Sequence, residues 1–285
     1  MERPIVLKVA LGRYGHTKAL FDGTVASERV QLSFVEFNPL PGAFRAMVRG
    51  DELDVSEIAL STHLLAHHHG KAISGLPITL WGRLHHRNLI CPANSSLAGP
   101  EDLKGRAVGV RSYSQTTGVW IRGILERDYG IDPDGVTWVT MEDSHVSEFE
   151  DPPNAKRNRS SKSLRELLFA GELAAIMGER SPDPDMVRPV IANADMIEKD
   201  WHKRTGIMPV NHIVAVREDL LAHNPWLRDE LTSLFERARL AGHARDEAWP
   251  PYGLEENRVS MQMLVDFSQR QHLTSRSYNI DELMS

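Results

Sequence analysis

The chain has 285 residues, is 41% hydrophobic and 25% charged, and carries a formal net charge of −6. That length buries a large core in one or two domains, and the acidic balance excludes a general attraction to nucleic acid or an anionic membrane. Cys91 is the single cysteine, which excludes an internal disulfide and suits a reducing compartment.

The opening MERPIVLKVA runs straight into strand-like alternation, without the charged and apolar regions of a secretory leader. No apolar run approaches the ~20 residues of a membrane span, so a cytoplasmic protein is expected. Short apolar runs predict strands at 5–11, 30–37, 53–60, 78–84, 88–91, 107–111, 136–141, 173–178 and 211–217. Helical patterns lie between them at 42–49, 62–69, 116–129, 161–170 and 194–204, with two longer ones at 225–247 and 254–272. In the first of these, Leu227, Leu231, Leu234, Phe235 and Ala238 recur at the spacing of a half-buried helix. Strand and helix in alternation predict α/β architecture with largely parallel sheets. The polar stretch 142–163, EDSHVSEFEDPPNAKRNRSSKS, reads as a long loop and candidate lid.

A weak internal echo runs through the chain. VALGRYGHTKAL (9–20) aligns with VGVRSYSQTTGV (108–119), and FRAMVRGDELDV (44–55) with LRELLFAGELAA (164–175). The echo predicts two similar α/β lobes with a small-molecule cleft between them, at the carboxyl ends of their strands.

The segment 111–117 carries the strongest chemical signal. Arg111, Ser112, Tyr113, Ser114, Gln115, Thr116 and Thr117 precede a helix, whose N-terminal amides and dipole favour a carboxylate or phosphate. An ordinary hydroxyl N-cap is the plain alternative. Tyr14 and His16 occupy the matching place in the first half, and His16 is a candidate proton carrier there. Ser56 and Glu57 follow residues 53–55, where a carboxylate could act as base or acceptor. Arg83 is expected in the cleft, with His85, His86 and Arg87 solvated. Glu142, Asp143 and His145 end a predicted strand, Asn211 and His212 open another, and Glu179 is a weaker candidate. His63 and His67 stand one helical turn apart without the glutamate of a zinc-protease motif, so they read as helix-surface histidines. Cys91 reads as core. Neither a dinucleotide fingerprint nor a nucleophile elbow is present.

Several motifs together resemble one family. VRSYSQTTGVWIRGIL, VTWVTMEDSHV followed by DPPN, NHIVAVREDL, ALGRYGHTKAL and FRAMVRGDELDVSEIALST are similar to the 4,5-dihydroxyphthalate decarboxylase family. The resemblance implies a fold like the type II periplasmic binding proteins, with lobe one at 1–88 plus 211–285 and lobe two at 89–210. It also implies conversion of 4,5-dihydroxyphthalate to protocatechuate and CO2 in bacterial phthalate breakdown. On that reading Arg111, Ser112, Gln115, Thr116 and Thr117 anchor the retained carboxylate, and His16 or His212 delivers the proton. Glu57 takes a hydroxyl hydrogen, and Tyr14 and Tyr113 flank the ring. Arg83, Asn211, Glu142 and His145 complete the binding set. The substrate's own hydroxyl supplies electrons, so no cofactor is expected, a divalent metal being the open alternative. The expected partner is a small aromatic dicarboxylate, with neither nucleic acid nor membrane, and with a homo-oligomer left open. The rival readings are a solute-binding or sensor protein without catalysis, and a thiamine-precursor enzyme, which a single cysteine disfavours.

Overall fold

The computed structural model describes residues 3–50, 52–178, 184–242 and 251–284; the candidate Glu179 lies outside them. Its strands, in chain order, are β1 (Ile5–Ala10), β2 (Val30–Phe34), β3 (Val55–Ala59), β4 (Ile73–Gly82), β5 (Leu89–Pro92), β6 (Ala107–Val110), β7 (Thr137–Thr140), β8 (Ala155–Arg157), β9 (Ala175–Met177), β10 (Val187–Pro189) and β11 (Val210–Arg217). The helices are α1 (Lys18–Phe21), α2 (Pro41–Arg49), α3 (Leu60–His68), α4 (Thr116–Tyr129), α5 (Leu164–Phe169), α6 (Ala194–Thr205), α7 (Glu218–His223), α8 (Leu227–Ala241), α9 (Leu254–Arg270) and α10 (Ile280–Met284). Among the described residues no helix is long and apolar enough to cross a membrane.

Local chemistry sets several of these boundaries. Ser163 accepts from the Glu166 amide while the Glu166 carboxylate accepts from the Ser163 amide, a reciprocal cap that starts α5. α4 stops at Gly130, whose φ of 65° turns the chain out of the helix.

The chain divides into two compact units. Unit 1 holds residues 1–83, 210–261 and 278–285, and unit 2 holds 84–209 and 262–277. Unit 1 has the strand order β2-β1-β3-β11-β4, and unit 2 has β10-β5-β9-β6-β7-β8. Taken from β7, the second sheet repeats the first, with β8 added at its edge. The internal echo is therefore real at the level of topology. Both sheets are mixed rather than largely parallel. β11 runs antiparallel to β3 and β4, and β5 antiparallel to β9 and β10. The physical reason is that each of these strands enters its sheet from the other half of the chain, so no local βαβ crossover sets its direction.

In unit 1, α8 lays Leu227, Leu231, Leu234, Phe235 and Ala238 against Leu7, Val9, Val55, Leu76, Val214 and Val216 of the sheet. In unit 2, α5 packs Leu164, Leu167 and Leu168 onto Ile90 and Ile176, and Trp120 and Trp138 are fully buried.

Five sequence expectations are corrected. Residues 262–277, expected with lobe one, belong to unit 2, because Phe267 meets the Trp120 ring edge-on at 5.8 Å and Gln271 accepts from Arg122 at 2.7 Å. The boundary also falls before Leu84, since His85 stacks at 6.2 Å on Trp120 and His86 meets Trp201 at 5.7 Å. These two histidines are thus buried rather than solvated, while exposed Arg87 binds Glu198. The candidate lid contains β8, which pairs in parallel with β7 as a short charged edge strand. Finally, His63 is core. Its Nε2 bonds the Leu283 carbonyl at 2.8 Å, and a Cβ at Gly75 would stand 2.7 Å from that nitrogen.

Two outcomes are expected. A Cβ at Gly123 would lie 2.0 Å from the Phe267 ring, so Gly123→Ala should lower unfolding free energy by about 1–3 kcal/mol in urea titration. Burial pushes His63 and His86 down to about 4 from the ordinary 6.5. The unfolded chain then binds more protons between those values, so stability is full above about 6.5 and is lost as pH falls toward 4. Replacing His63 by glutamine should reduce that slope in denaturation curves recorded across the window.

Candidate functional site

β3 is buried along its whole length, yet its third residue is Glu57. Glu57 stands opposite Val214 on β11, so His212 two residues away is its diagonal neighbour on the same face. His212 in turn stands opposite Trp81 of β4, and the β11–β4 register is irregular between Val210 and Val214. Such bulges re-aim side chains beside functional sites. Asn211 is the extra residue of this irregularity and is fully buried.

Glu57 is 0% exposed. Its Oε2 accepts from the Gly12 amide at 2.8 Å, and its Oε1 accepts from the Tyr14 hydroxyl at 2.7 Å. The His212 Nδ1 lies 2.6 Å from the same Oε1. A carboxylate only accepts, so the Nδ1 proton belongs on the histidine and Nε2 is left as the nitrogen that can exchange a proton. Three donors satisfy a charge that would otherwise be costly to bury.

Aromatic rings pack around this cluster. His212 meets Phe44 edge-on at 5.0 Å and a tilted Trp81 at 5.0 Å, while Arg83 lies 4.8 Å above Trp81. Tyr14 stacks on His16 at 5.2 Å, and Tyr252 meets His16 edge-on at 6.1 Å. Burial, reinforced by the Glu57 charge and hydrogen bond, holds the Tyr14 hydroxyl far above its ordinary range, so it remains a donor. Burial outweighs the opposing Glu57 charge at His16 and pushes it down to about 4, leaving it neutral at pH 7. Ser56 turns its hydroxyl to the Glu57 carbonyl at 2.6 Å.

Unit 2 assembles a different site. Arg111, expected to grip a ligand carboxylate, places its Nε 2.7 Å from Glu142 Oε1, so two expected ligands pair with each other. Ser114 lies 3.3 Å from Ser112 and donates to Ser144 at 3.0 Å. Gln115 is the N-cap residue of α4, and Thr116 and Thr117 form its first turn, both buried. His145 is half-buried nearby in sequence. Tyr113 does not flank a ring as expected. It is 0% exposed, and its hydroxyl donates to the Gln271 carbonyl at 3.1 Å. Its place after a buried strand turns it into the core. Among the described residues no three His, Cys, Asp or Glu gather closely enough to hold a metal ion.

The sequence reading missed Phe44, Trp81, Tyr252 and Arg122. Trp81 shares a predicted strand with Arg83 at a spacing of two, which marks one face. Arg122 interrupts the apolar run VWIRGIL, the visible sign of a charge on a buried helix face.

No profile of a known protein family matches the chain. It is 26% identical over 258 residues to a protein of Comamonas testosteroni named 4,5-dihydroxyphthalate decarboxylase, spanning 84% of this chain and 76% of that one. A Pseudomonas putida protein of the same name is 28% identical over 184 residues, spanning 62% and 71%. Among solved structures, the periplasmic aliphatic sulphonate binding protein SsuA of Escherichia coli superposes with a TM-score of 0.61 at 14% identity, covering 98% of this chain and 97% of that one. SsuA of Xanthomonas axonopodis pv. citri bound to MOPS gives 0.60 at 14% identity, covering 99% of each. A Candida albicans gene product described as having the generic periplasmic binding protein fold gives 0.54 at 13% identity, covering 98% and 93%. The chain therefore has the two-lobe α/β fold of periplasmic binding proteins, and its sequence resembles named decarboxylases along most of its length.

A Cβ at Gly12 would lie 2.5 Å from the Tyr14 ring. Gly12→Ala should therefore displace Tyr14 from Glu57. The expected signature is a Tyr14 hydroxyl that titrates closer to 10, read by ultraviolet absorbance against a Tyr14→Phe control.

Proposed function

We propose that the chain is a carboxy-lyase that removes one carboxylate from a hydroxylated aromatic dicarboxylate, converting 4,5-dihydroxyphthalate to protocatechuate and CO2 in cytoplasmic phthalate breakdown. The observation that carries this reading is the Glu57–His212 pair at 2.6 Å. A buried carboxylate that orients an imidazole through Nδ1 is a proton-transfer device, which a protein that only holds a solute does not need. The similarity to two proteins named 4,5-dihydroxyphthalate decarboxylase supplies the substrate class.

In the proposed reaction the hydroxyl para to the departing group pushes electrons toward the ipso carbon. His212 Nε2 delivers a proton there. The carbon–carbon bond then breaks, its electron pair restores the aromatic ring, and CO2 leaves. Water returns the proton to His212, so one proton is consumed per turnover. Glu57 acts differently from the sequence expectation: three donors occupy it, so it holds and polarises His212 rather than taking a hydroxyl hydrogen. His16, neutral at pH 7, is disfavoured as the donor. In unit 2, the first turn of α4 with Ser112, Gln115, Thr116 and Thr117 is proposed as the acceptor of a carboxylate group.

The test is release of CO2 from 4,5-dihydroxyphthalate by the purified chain. His212→Gln should lower kcat by about 100-fold or more, and Glu57→Gln should lower it while leaving KM within a few-fold. A diacid that binds and returns unchanged would overturn the proposal in favour of a solute-binding protein. Wild-type turnover in His212→Gln would remove His212 from the role.

A further inference from the structure

Arg122 lies on α4 one turn beyond Gly118, and it is 0% exposed. Its Nε donates to Gln271 Oε1 at 2.7 Å and its Nη2 to the Tyr113 carbonyl at 2.6 Å. The guanidinium sits 4.0 Å from the Tyr113 ring centre and 5.4 Å from that of Trp138. Every one of these partners is neutral. Among the described residues no carboxylate forms an ion pair with Arg122, and Asp151 acts on it only from longer range. Nη1 is buried without a hydrogen-bond partner, and a Cβ built on Gly118 would lie 3.0 Å from it. That nitrogen is thus aimed at the first turn of α4.

A buried arginine stays charged, and a buried charge with only a longer-range carboxylate to balance it is held at a cost. Other charges nearby do not replace it as a source of positive potential, since Arg111 is matched by Glu142. The field of Arg122 and the positive end of the helix dipole add at one place, the amides of Thr116, Thr117 and Gly118.

We propose that Arg122 is the buried counter-charge of an anion site at the N-terminus of α4, taking a carboxylate of an aromatic diacid; this rests on the reading of that turn as a carboxylate acceptor. The guanidinium need not touch the ligand. It acts through Gly118 and the Tyr113 carbonyl, both as fixed charge and as support for the loop. Gln271 completes the arrangement: its side-chain amide donates to the Val119 carbonyl at 3.0 Å while its oxygen accepts from Arg122, holding the guanidinium without neutralising it.

The experiment is calorimetric titration of the full chain with two probes, phthalate as the dianion and catechol as the uncharged ring. Arg122→Met, Arg122→Lys and Gln271→Glu are compared with wild type. Loss of the charge in Arg122→Met, or its neutralisation in Gln271→Glu, should weaken phthalate binding by about tenfold or more. Catechol binding should stay within about twofold, and Arg122→Lys should retain most of the phthalate affinity. A purely structural role predicts equal losses for both probes and no rescue by lysine, which would overturn the proposal. Should Arg122→Met fail to fold, Gln271→Glu, which preserves size, separates the same two outcomes. Wild-type chain that binds no diacid overturns the functional reading itself. Wild-type turnover with unchanged phthalate affinity in the Met and Glu variants overturns only this inference.

Discussion

Glu57 is a carboxylate closed off from solvent, and the first unit supplies it with three donors from two separate stretches of chain. The loop after β1 contributes an amide and a phenol, and β11 contributes an imidazole. Each donor must arrive within hydrogen-bond distance or the charge is stranded in an apolar face shared with Val55. The register of β3 with β11 and the irregular pairing of β11 with β4 are therefore constraints on chemistry as much as on folding. An imidazole fixed this way loses little freedom when it meets a substrate, which is the pre-organisation that proton transfer rewards.

The two halves of the molecule use one strand–loop–helix template to different ends. Tyr14 and Tyr113 occupy equivalent places in the echo. Tyr14 turns to Glu57, whereas Tyr113 turns inward to the Gln271 carbonyl and lies under Arg122. The first loop thus serves a buried negative charge and the second covers a buried positive one. This opposition fits the proposed roles of proton transfer and anion binding, and it rests on a handful of side chains rather than on the fold.

Much of this was legible in the amino-acid order. The helix predicted over 116–129 is α4 residue for residue, and the apolar stripe from Leu227 to Ala238 packs as its spacing requires. His16, Glu57, Tyr14 and His212 were candidates from sequence, and unit 1 brings them together. What could not be read was pairing across long separations. Nothing local tells that Glu57 and His212, 155 positions apart, are diagonal neighbours. Nor does anything local tell that Arg111 is neutralised by Glu142, or that Phe267 and Gln271 belong with α4. The antiparallel pairing of β5 and β11 is hidden from the sequence for a related reason: strand propensity carries no sign of polarity within a sheet. The short strands β8 and β10 have too few residues to show alternation.

The crossing of the chain between units has a practical corollary for anyone dissecting the protein. Unit 2 is not a contiguous piece, since residues 262–277 supply the Phe267 ring against Trp120 and the Gln271 amide against Arg122. A fragment cut at 84–209 would leave an indole and a guanidinium uncovered on the same helix. Such a truncation invites aggregation rather than autonomy, so separate halves of this enzyme candidate are best made by tethering the late segment back onto the early one.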